Sequence, residues 1–207
     1  MGIRYLPRYS ASERTNHWLI VLFFTVAALS GLAFFHPSLF FLSAFVGGGT
    51  WARILHPFMG LLMSLCFLVM FVRLWRHNVI TAADREWLKH SAQMLRGDKS
   101  GMPPAGRYNG GQKQVFWVMA VSLAVLVVTG FMFWQPWFAN AFPILLRRIA
   151  VLLHALSATV LVLSVIVHVY AAIWVKGTIR AMTRGTVTEG WARQNHPLWH
   201  REMTGKQ

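Results

Sequence analysis

Four histidines lie inside segments of the chain that are otherwise apolar: His17, His56, His154 and His168. An ionisable side chain at membrane depth is costly in free energy and usually has a function. Neutral imidazole is also a common protein ligand for iron, copper and zinc. These four residues are therefore the first candidates for chemistry in this chain.

The spacing of two of these residues limits what they can bind. His154 and His168 are 14 residues apart in the sequence. On one α-helix they project from nearly the same face and are separated by about 21 Å along the axis. That separation is too long for a shared metal ion. Each imidazole therefore needs a partner from another helix.

The elements that must position these histidines are long apolar helices. The chain has 207 residues, of which 56% are hydrophobic, and helices are predicted at roughly 11–35, 52–75, 112–134 and 146–175. Each is long enough to cross the hydrocarbon core of a bilayer. We predict an all-α fold, an integral membrane four-helix bundle that forms a single domain over residues 1–207. Ser10 and Glu13 are spaced as a capping box for the first helix. No internal repeat is predicted.

The distribution of charge predicts the orientation of this bundle. The net charge is +14, with 20 Lys and Arg against six acids. All but three of the basic residues fall on one side of the predicted bundle, the exceptions being Arg53, Arg147 and Arg148. By the positive-inside rule both termini are cytoplasmic, with a basic tail at 178–207, in a bacterial inner membrane. The basic surface thus indicates topology and contact with membrane lipid, not nucleic acid.

Orientation sorts the four histidines into two pairs by depth. His56 and His154 lie near the outer face, whereas His17 and His168 lie near the cytoplasmic face. Two imidazoles at each level are what two six-coordinate b haems require. Gly31 and Gly60 are small residues that leave space for a haem between the helices. The chain has a single cysteine, Cys66, so covalent c-type haem attachment and an internal disulfide are both excluded.

The four histidines have one alternative interpretation, and the other five histidines have a prediction of their own. Imidazoles can also hydrogen-bond between membrane helices in a purely structural role. The remaining five histidines are predicted to be solvated or interfacial: His36, His77, His90, His196 and His200.

Several motifs resemble one family. They are "ERTNHW" at 13–18, "ARILHPF" at 52–58, "RYNGGQK" at 107–113 and "HVYAAIWVKGTI" at 168–179. Together they resemble the cytochrome b, or gamma, subunit of membrane-bound respiratory formate dehydrogenases, enzymes of anaerobic respiration.

The resemblance implies an electron path and partners. A molybdenum or tungsten alpha subunit oxidises formate outside, and an iron–sulfur beta subunit relays the electrons. The outer haem, here held by His56 and His154, receives them. The inner haem, here held by His17 and His168, passes them to menaquinone or ubiquinone near the cytoplasmic face. The oligomeric state of the heterotrimer is left open, as is any activity of the isolated chain.

A candidate quinone site lies just before the third long helix. Reduction of a quinone requires hydrogen-bond donors beside the inner haem. Glycines permit close backbone approach, and the N-terminus of a helix favours an anionic oxygen. We therefore select Asn109, Gly111 and Gln112 as quinone-binding residues. The alternative for this stretch is a turn that only caps the helix.

Separation of the two sites predicts electrogenic quinone reduction, because electrons move inward while protons are taken from the cytoplasm. Two other functions remain open at this stage. One is the dihaem cytochrome b subunit of a hydrogenase or another periplasmic oxidoreductase. The other is a proton or metal transporter built on the four histidines.

Overall fold

The computed structural model describes residues 2–95 and 101–205. The predicted loop residues 96–100 and the last two residues of the predicted tail lie outside these ranges. The chain divides into two compact units. The bundle unit comprises Thr15–Val72 and Met119–Val165, and the terminal unit comprises Met1–Arg14, Arg73–Val118 and Ile166–Gln207.

The described elements are helical apart from one short ribbon, in agreement with the predicted all-α class. In chain order they are β1 (Tyr5–Pro7), α1 (Ala11–Phe35), α2 (Gly49–Leu74), α3 (Ala82–Lys89), α4 (Ser91–Leu95), α5 (Gly110–Phe133), α6 (Ile144–Trp174), α7 (Thr178–Arg184), β2 (Thr186–Thr188), α8 (Glu189–Asn195) and α9 (Pro197–Thr204). Short 3₁₀ segments occupy Pro37–Val46, Trp75–Asn78 and Ala139–Ala141.

Four of these helices, α1, α2, α5 and α6, are long and apolar enough to cross a membrane. In the most apolar window of each helix no more than 17% of the residues are buried within the protein. The apolar surface left outside must be covered by lipid or by partner subunits, because backbone and side chains of this composition are not stable facing water. The predicted four-helix membrane bundle is confirmed.

The starts of α1 and α5 are fixed by side-chain caps. Ser10 Oγ accepts a hydrogen bond from Glu13 N (3.2 Å), and Glu13 Oε2 accepts one from Ser10 N (2.7 Å). This capping box was predicted, and α1 begins at Ala11 as expected. Asn109 and Gln112 form the same reciprocal pair at 2.9 and 3.0 Å. Consequently α5 begins at Gly110, two residues earlier than predicted.

The core of the bundle unit consists of apolar side chains from several long helices. Met63 and Phe67 from α2 pack with Leu123 from α5 and Leu161 from α6. Each of the four is less than a tenth exposed. These side chains pack densely against one another, and this packing stabilises the contacts between the helices.

The terminal unit has its own core, built where the two ends of the chain meet. β1 pairs antiparallel with β2 so that Leu6 lies opposite Val187, and both are buried. Trp191 and Trp199 complete this core. Two tryptophans of the predicted basic tail are therefore interior residues of this unit.

Two histidines of this unit correct the sequence-based prediction. His196 and His200 were expected to be solvated, yet they are 1% and 7% exposed. His196 Nδ1 lies 2.9 Å from the Gly106 carbonyl, and His200 Nε2 lies 3.2 Å from Glu189 Oε1. Burial, together with the nearby Arg8 guanidinium, lowers the pKa of His196 to about 4. The His196 imidazole is therefore neutral at physiological pH and serves as a structural residue.

An internal repeat, which was not predicted, emerges from contacts between residues 99 positions apart. Arg8 Nη2 donates to the Arg107 carbonyl and Arg107 Nη2 donates to the Arg8 carbonyl. The hydroxyl groups of Tyr9 and Tyr108 are 3.2 Å apart. Residues that contact each other reciprocally in this way form an isologous interface, as in a symmetric dimer. Segments 8–37 and 107–136 are thus two copies of one pattern, each beginning with Arg-Tyr and a capping box.

A buried ion pair joins α3 to the start of α5. Lys113 Nζ lies 2.6 Å from Asp84 Oδ2, and both residues are less than a tenth exposed. Thr81 N and Thr81 Oγ1 donate to the same carboxylate at 2.8 and 2.7 Å. Burial alone disfavours the ionised carboxyl, but the hydrogen bonds from Lys113 and Thr81 outweigh it, so the pKa of Asp84 is below its usual value.

We expect Asp84→Asn to destabilise the protein by about 3 kcal/mol at pH 7, because it leaves the Lys113 ammonium buried without its counterion. The folded-state pKa of Asp84 is below its unfolded value of about 3.9, so this stabilisation is complete above that pH and disappears as pH falls through the folded value. Thermal unfolding of detergent-solubilised protein measures it. Glu86→Gln, which removes an exposed carboxylate paired with Lys89, is the control and leaves the midpoint unchanged. Equal midpoints for Asp84→Asn and wild type at pH 7 would contradict the prediction.

Candidate functional site

The bundle unit brings two of the four predicted histidines face to face. His56 on α2 and His154 on α6 have ring centroids 6.2 Å apart, with their planes inclined at 65°. Both side chains are half-buried. The depth match proposed for this pair from the sequence therefore corresponds to direct proximity in the bundle unit.

This separation fits two axial ligands of one iron. A metal held by two imidazole nitrogens at about 2.0 Å each places the ring centroids about 6 Å apart. Among residues 2–95 and 101–205, no group of three or more His, Cys, Asp or Glu side chains could hold a metal ion. Two imidazole nitrogens are the number that a haem iron would need from a protein to become six-coordinate.

Helix α1 orients the His56 ring. His56 Nδ1 lies 3.0 Å from the Ala27 carbonyl oxygen and 3.1 Å from Ser30 Oγ. A Cβ atom at Gly31 would lie 2.9 Å from His56 Cε1, so only glycine fits at this position without displacing the ring. Gly31 thus leaves space for the His56 ring itself, whereas a Cβ at Gly60 would meet nothing within 4 Å. The space for a haem, for which both glycines were selected, stays a prediction.

Helix α5 orients the His154 ring in the same way. His154 Nδ1 lies 3.0 Å from Thr129 Oγ1, and a Cβ at Gly130 would lie 3.5 Å from His154 Cε1. In both histidines the hydrogen bonds involve Nδ1. Nε2 is therefore the nitrogen left for a metal.

An aromatic ring packs against each imidazole. Phe34 contacts His56 edge-on at 6.4 Å, and Phe133 contacts His154 edge-on at 5.1 Å. Sequence reasoning missed Ser30, Thr129 and Gly130, although a signal was present. A hydroxyl residue, a glycine and then a phenylalanine three residues later recur at 30–34 and 129–133, within the repeated segments.

The second predicted pair is divided between the two units. His17 belongs to the bundle unit, is half-buried and contacts Trp18 edge-on at 5.5 Å. His168 belongs to the terminal unit and its side chain is exposed. Their pairing stays a prediction.

The predicted quinone residues lie together in the terminal unit. Capping uses Asn109 Oδ1 and Gln112 Oε1, which leaves the two amide NH₂ groups as donors. A Cβ at Gly111 would come within 2.9 Å of the Trp87 ring of α3. Gly111 therefore permits α3 to pack against the first turn of α5, a role that the sequence did not suggest.

Two further histidines bond to local backbone. His36 Nδ1 accepts from Ser38 N at the start of a 3₁₀ segment, and His90 Nδ1 lies 2.9 Å from the Glu86 carbonyl. His36 and His77 are exposed, as predicted.

Comparison with known proteins agrees with a haem-ligating bundle. Residues 8–185 match the family described as prokaryotic cytochrome b561. The chain is 46% identical to the formate dehydrogenase cytochrome b556(fdo) subunit of Escherichia coli (strain K12), over 96% of this chain and 93% of that subunit.

Two other relatives are similar over most of their length. The nitrate-inducible formate dehydrogenase cytochrome b556(Fdn) subunit of the same strain is 39% identical over 92% of this chain and 88% of its own. The formate dehydrogenase cytochrome b556 subunit of Haemophilus influenzae is 38% identical over 94% of this chain and 82% of its own. A family match across this share of the chain implies haem b as the cofactor, bound in an integral membrane protein. The chain therefore belongs to the prokaryotic cytochrome b561 family, in which its relatives are formate dehydrogenase cytochrome b556 subunits.

Proposed function

We propose that this chain carries electrons from a periplasmic formate-oxidising enzyme through two b haems to a quinone that is reduced near the cytoplasmic side. The observation that carries this proposal is the opposed pair His56 and His154. The spacing of the two rings and the hydrogen bonds at each Nδ1 suit an iron bound between them. Haem supplies one-electron transfer when bound, and the protein supplies its position and surroundings.

The outer haem is assigned to His56 and His154. Their rings lie in an apolar bundle between helices that each contribute a hydroxyl group, a glycine and a phenylalanine. Apolar surroundings and limited access of water are among the features by which a protein sets the potential of a haem. The chain thus provides ligands and a low-polarity environment for an electron carrier near the outer membrane face.

The inner haem is assigned to His17 and His168. Support for this pair comes from helix direction: α1 and α6 run in opposite senses if both termini are cytoplasmic, so both histidines lie toward that face. Each is an ionisable residue within a membrane-spanning helix, where functional roles predominate.

The partners follow from the relatives. They are named as subunits of formate dehydrogenase, so catalytic partners are required for formate oxidation. We infer an iron–sulfur beta subunit that delivers electrons to the outer haem, and an alpha subunit containing molybdenum or tungsten that oxidises formate. No residue of this chain is assigned a contact with formate.

The quinone site is assigned to Asn109, Gly111 and Gln112. Asn109 is half-buried and Gln112 is exposed, so their amide NH₂ groups are accessible to a ligand at the end of α5. The N-terminus of a helix stabilises negative charge on an oxygen atom during reduction. These residues act as hydrogen-bond donors, and the quinone takes its protons from the cytoplasm.

We expect wild-type protein to contain two b haems per polypeptide, and His154→Ala or His56→Ala to lose one of them, because each removes an axial ligand of the same iron. His17→Ala and His168→Ala should each remove the other. Pyridine haemochrome quantitation on the purified chain measures the haem content. His36→Ala, an exposed histidine outside both pairs, is the control and retains both haems. Full haem content in His154→Ala would contradict ligation by this residue.

We expect Asn109→Asp and Gln112→Glu to reduce kcat/KM for quinone by about tenfold or more, since each loses a donor to a charged oxygen worth roughly 1.5–3 kcal/mol. Both variants keep the oxygen that caps α5, so stability should not fall. Quinone reduction by the purified complex measures the effect. As a control, Ser10→Asp introduces the same carboxylate at the equivalent cap of α1 and should leave the rate unchanged. Wild-type rates in both α5 variants would remove these side chains from the site.

We expect quinone reduction driven by formate to generate a membrane potential in proteoliposomes of the whole complex, because electrons cross inward and protons are consumed on the cytoplasmic side. Each charge moved through 100 mV requires about 2.3 kcal/mol. A potential-sensitive dye measures the result, with an uncoupler as control. Quinone reduction at full rate with no potential would contradict the assigned positions of the two sites.

A further inference from the structure

Two hydroxyl groups connect the opposed imidazoles to main-chain carbonyls of the neighbouring helices. Ser30 Oγ lies 2.7 Å from the Val26 carbonyl oxygen and 3.1 Å from His56 Nδ1. Thr129 Oγ1 lies 2.6 Å from the Val125 carbonyl oxygen and 3.0 Å from His154 Nδ1. The same chain of three groups therefore occurs twice in the bundle unit.

The number of protons shared by the carbonyl, the hydroxyl and the imidazole determines the tautomer of each histidine. A carbonyl oxygen only accepts, so the short bond to it uses the single proton of the hydroxyl. The hydroxyl can then only accept from the imidazole, and Nδ1 must carry the ring proton. For His56 the Ala27 carbonyl, 3.0 Å from Nδ1, requires the same tautomer. In both rings Nε2 therefore keeps the lone pair that binds a metal.

We propose that Ser30 and Thr129 are positioning residues, which lock His56 and His154 in the metal-binding tautomer and lower the reduction potential of the haem they hold. This inference rests on the proposed ligation of one haem by these two histidines. A hydroxyl acceptor at Nδ1 increases the electron density of the ring and makes the ligating nitrogen more basic. A more basic ligand stabilises oxidised iron relative to reduced iron, so the hydrogen bonds favour the oxidised state.

A glycine follows each hydroxyl residue, and at position 31 the contact requires it, because a Cβ there would lie 2.9 Å from His56 Cε1. Gly31 and Gly130 follow the two hydroxyl residues directly and leave room for the imidazoles against the helix backbone. A larger residue at 31 would push the His56 ring away from Ser30. The hydroxyl residue and the glycine thus form one unit of sequence, repeated in both halves of the chain.

The variants Thr129→Val and Ser30→Ala test this inference in the holo complex. Val keeps the shape of Thr but removes the hydroxyl. Redox titration followed in the haem α band should show the outer haem reduced more readily in Thr129→Val. We expect a roughly tenfold rise in its ratio of reduced to oxidised haem at a fixed ambient potential, equal to about 59 mV for one electron. Ser30→Ala should shift the potential in the same direction, because it removes the equivalent acceptor at His56.

Matched controls remove the same intrahelical bond without an imidazole. Thr159 Oγ1 bonds the Ala155 carbonyl in α6, and Ser64 Oγ bonds the Gly60 carbonyl in α2. Thr159→Val and Ser64→Ala should leave the potential unchanged. Thr129→Ser keeps a hydroxyl at this position and should keep the wild-type potential.

The outcomes separate this inference from the proposed ligation. A wild-type potential in Thr129→Val, with one haem lost in His154→Ala, would overturn the role of the hydroxyl and leave ligation standing. Full haem in His154→Ala would overturn ligation instead. An equal shift in Thr159→Val would show that the potential changes because an intrahelical hydrogen bond is lost, and not because the imidazole loses its acceptor.

Discussion

The hydrogen bonds at Nδ1 of the opposed histidines are the interaction on which the bundle unit depends. An imidazole N–H in an apolar bundle needs an acceptor, because an unpaired buried donor is destabilising. The acceptors belong to neighbouring helices: α1 serves His56 and α5 serves His154. Each helix must approach closely enough for the bond to form, and at Gly31 this approach leaves no room for a Cβ atom. Helix spacing, ring orientation and the free Nε2 are consequences of the same two contacts.

Duplication explains why the surroundings of His56 and His154 match. Ser30 and Gly31 match Thr129 and Gly130 in the two copies of the segment, and the imidazole facing each has the same hydrogen bonding. The proposed inner pair lacks this relation, because the residue that corresponds to His17 in the second copy is Phe116. If both proposed haems are bound, two environments of different symmetry would give them different potentials, and that difference would direct electrons from one to the other.

The terminal unit holds the starts of α1 and α5 by polar contacts. Reciprocal bonds between Arg8 and Arg107 join the residues just before the two caps, and Arg8 stacks 4.3 Å from the Trp199 ring of the C-terminal core. The buried Arg8 guanidinium is stabilised by aromatic faces and by the Arg107 carbonyl oxygen. The proposed quinone donors project from the first turn of α5. Their position thus depends on a core formed by both ends of the chain.

The length of the apolar segments by itself determined the four membrane helices, and the spacing of Ser10 and Glu13 determined the cap of the first one. The candidate ligands followed from the presence of histidines inside those apolar segments. The proximity of His56 and His154 agrees with the pairing predicted from helix direction, whereas the depth of the pair in the membrane stays a prediction. Only the tertiary structure decided that Ser30 and Thr129 bond these rings, that His196 and His200 are buried, and that Gly111 packs on Trp87. Those contacts join residues distant in sequence, and rotation of a helix about its axis decides them. In an all-apolar helix, no polar face in the sequence specifies that rotation.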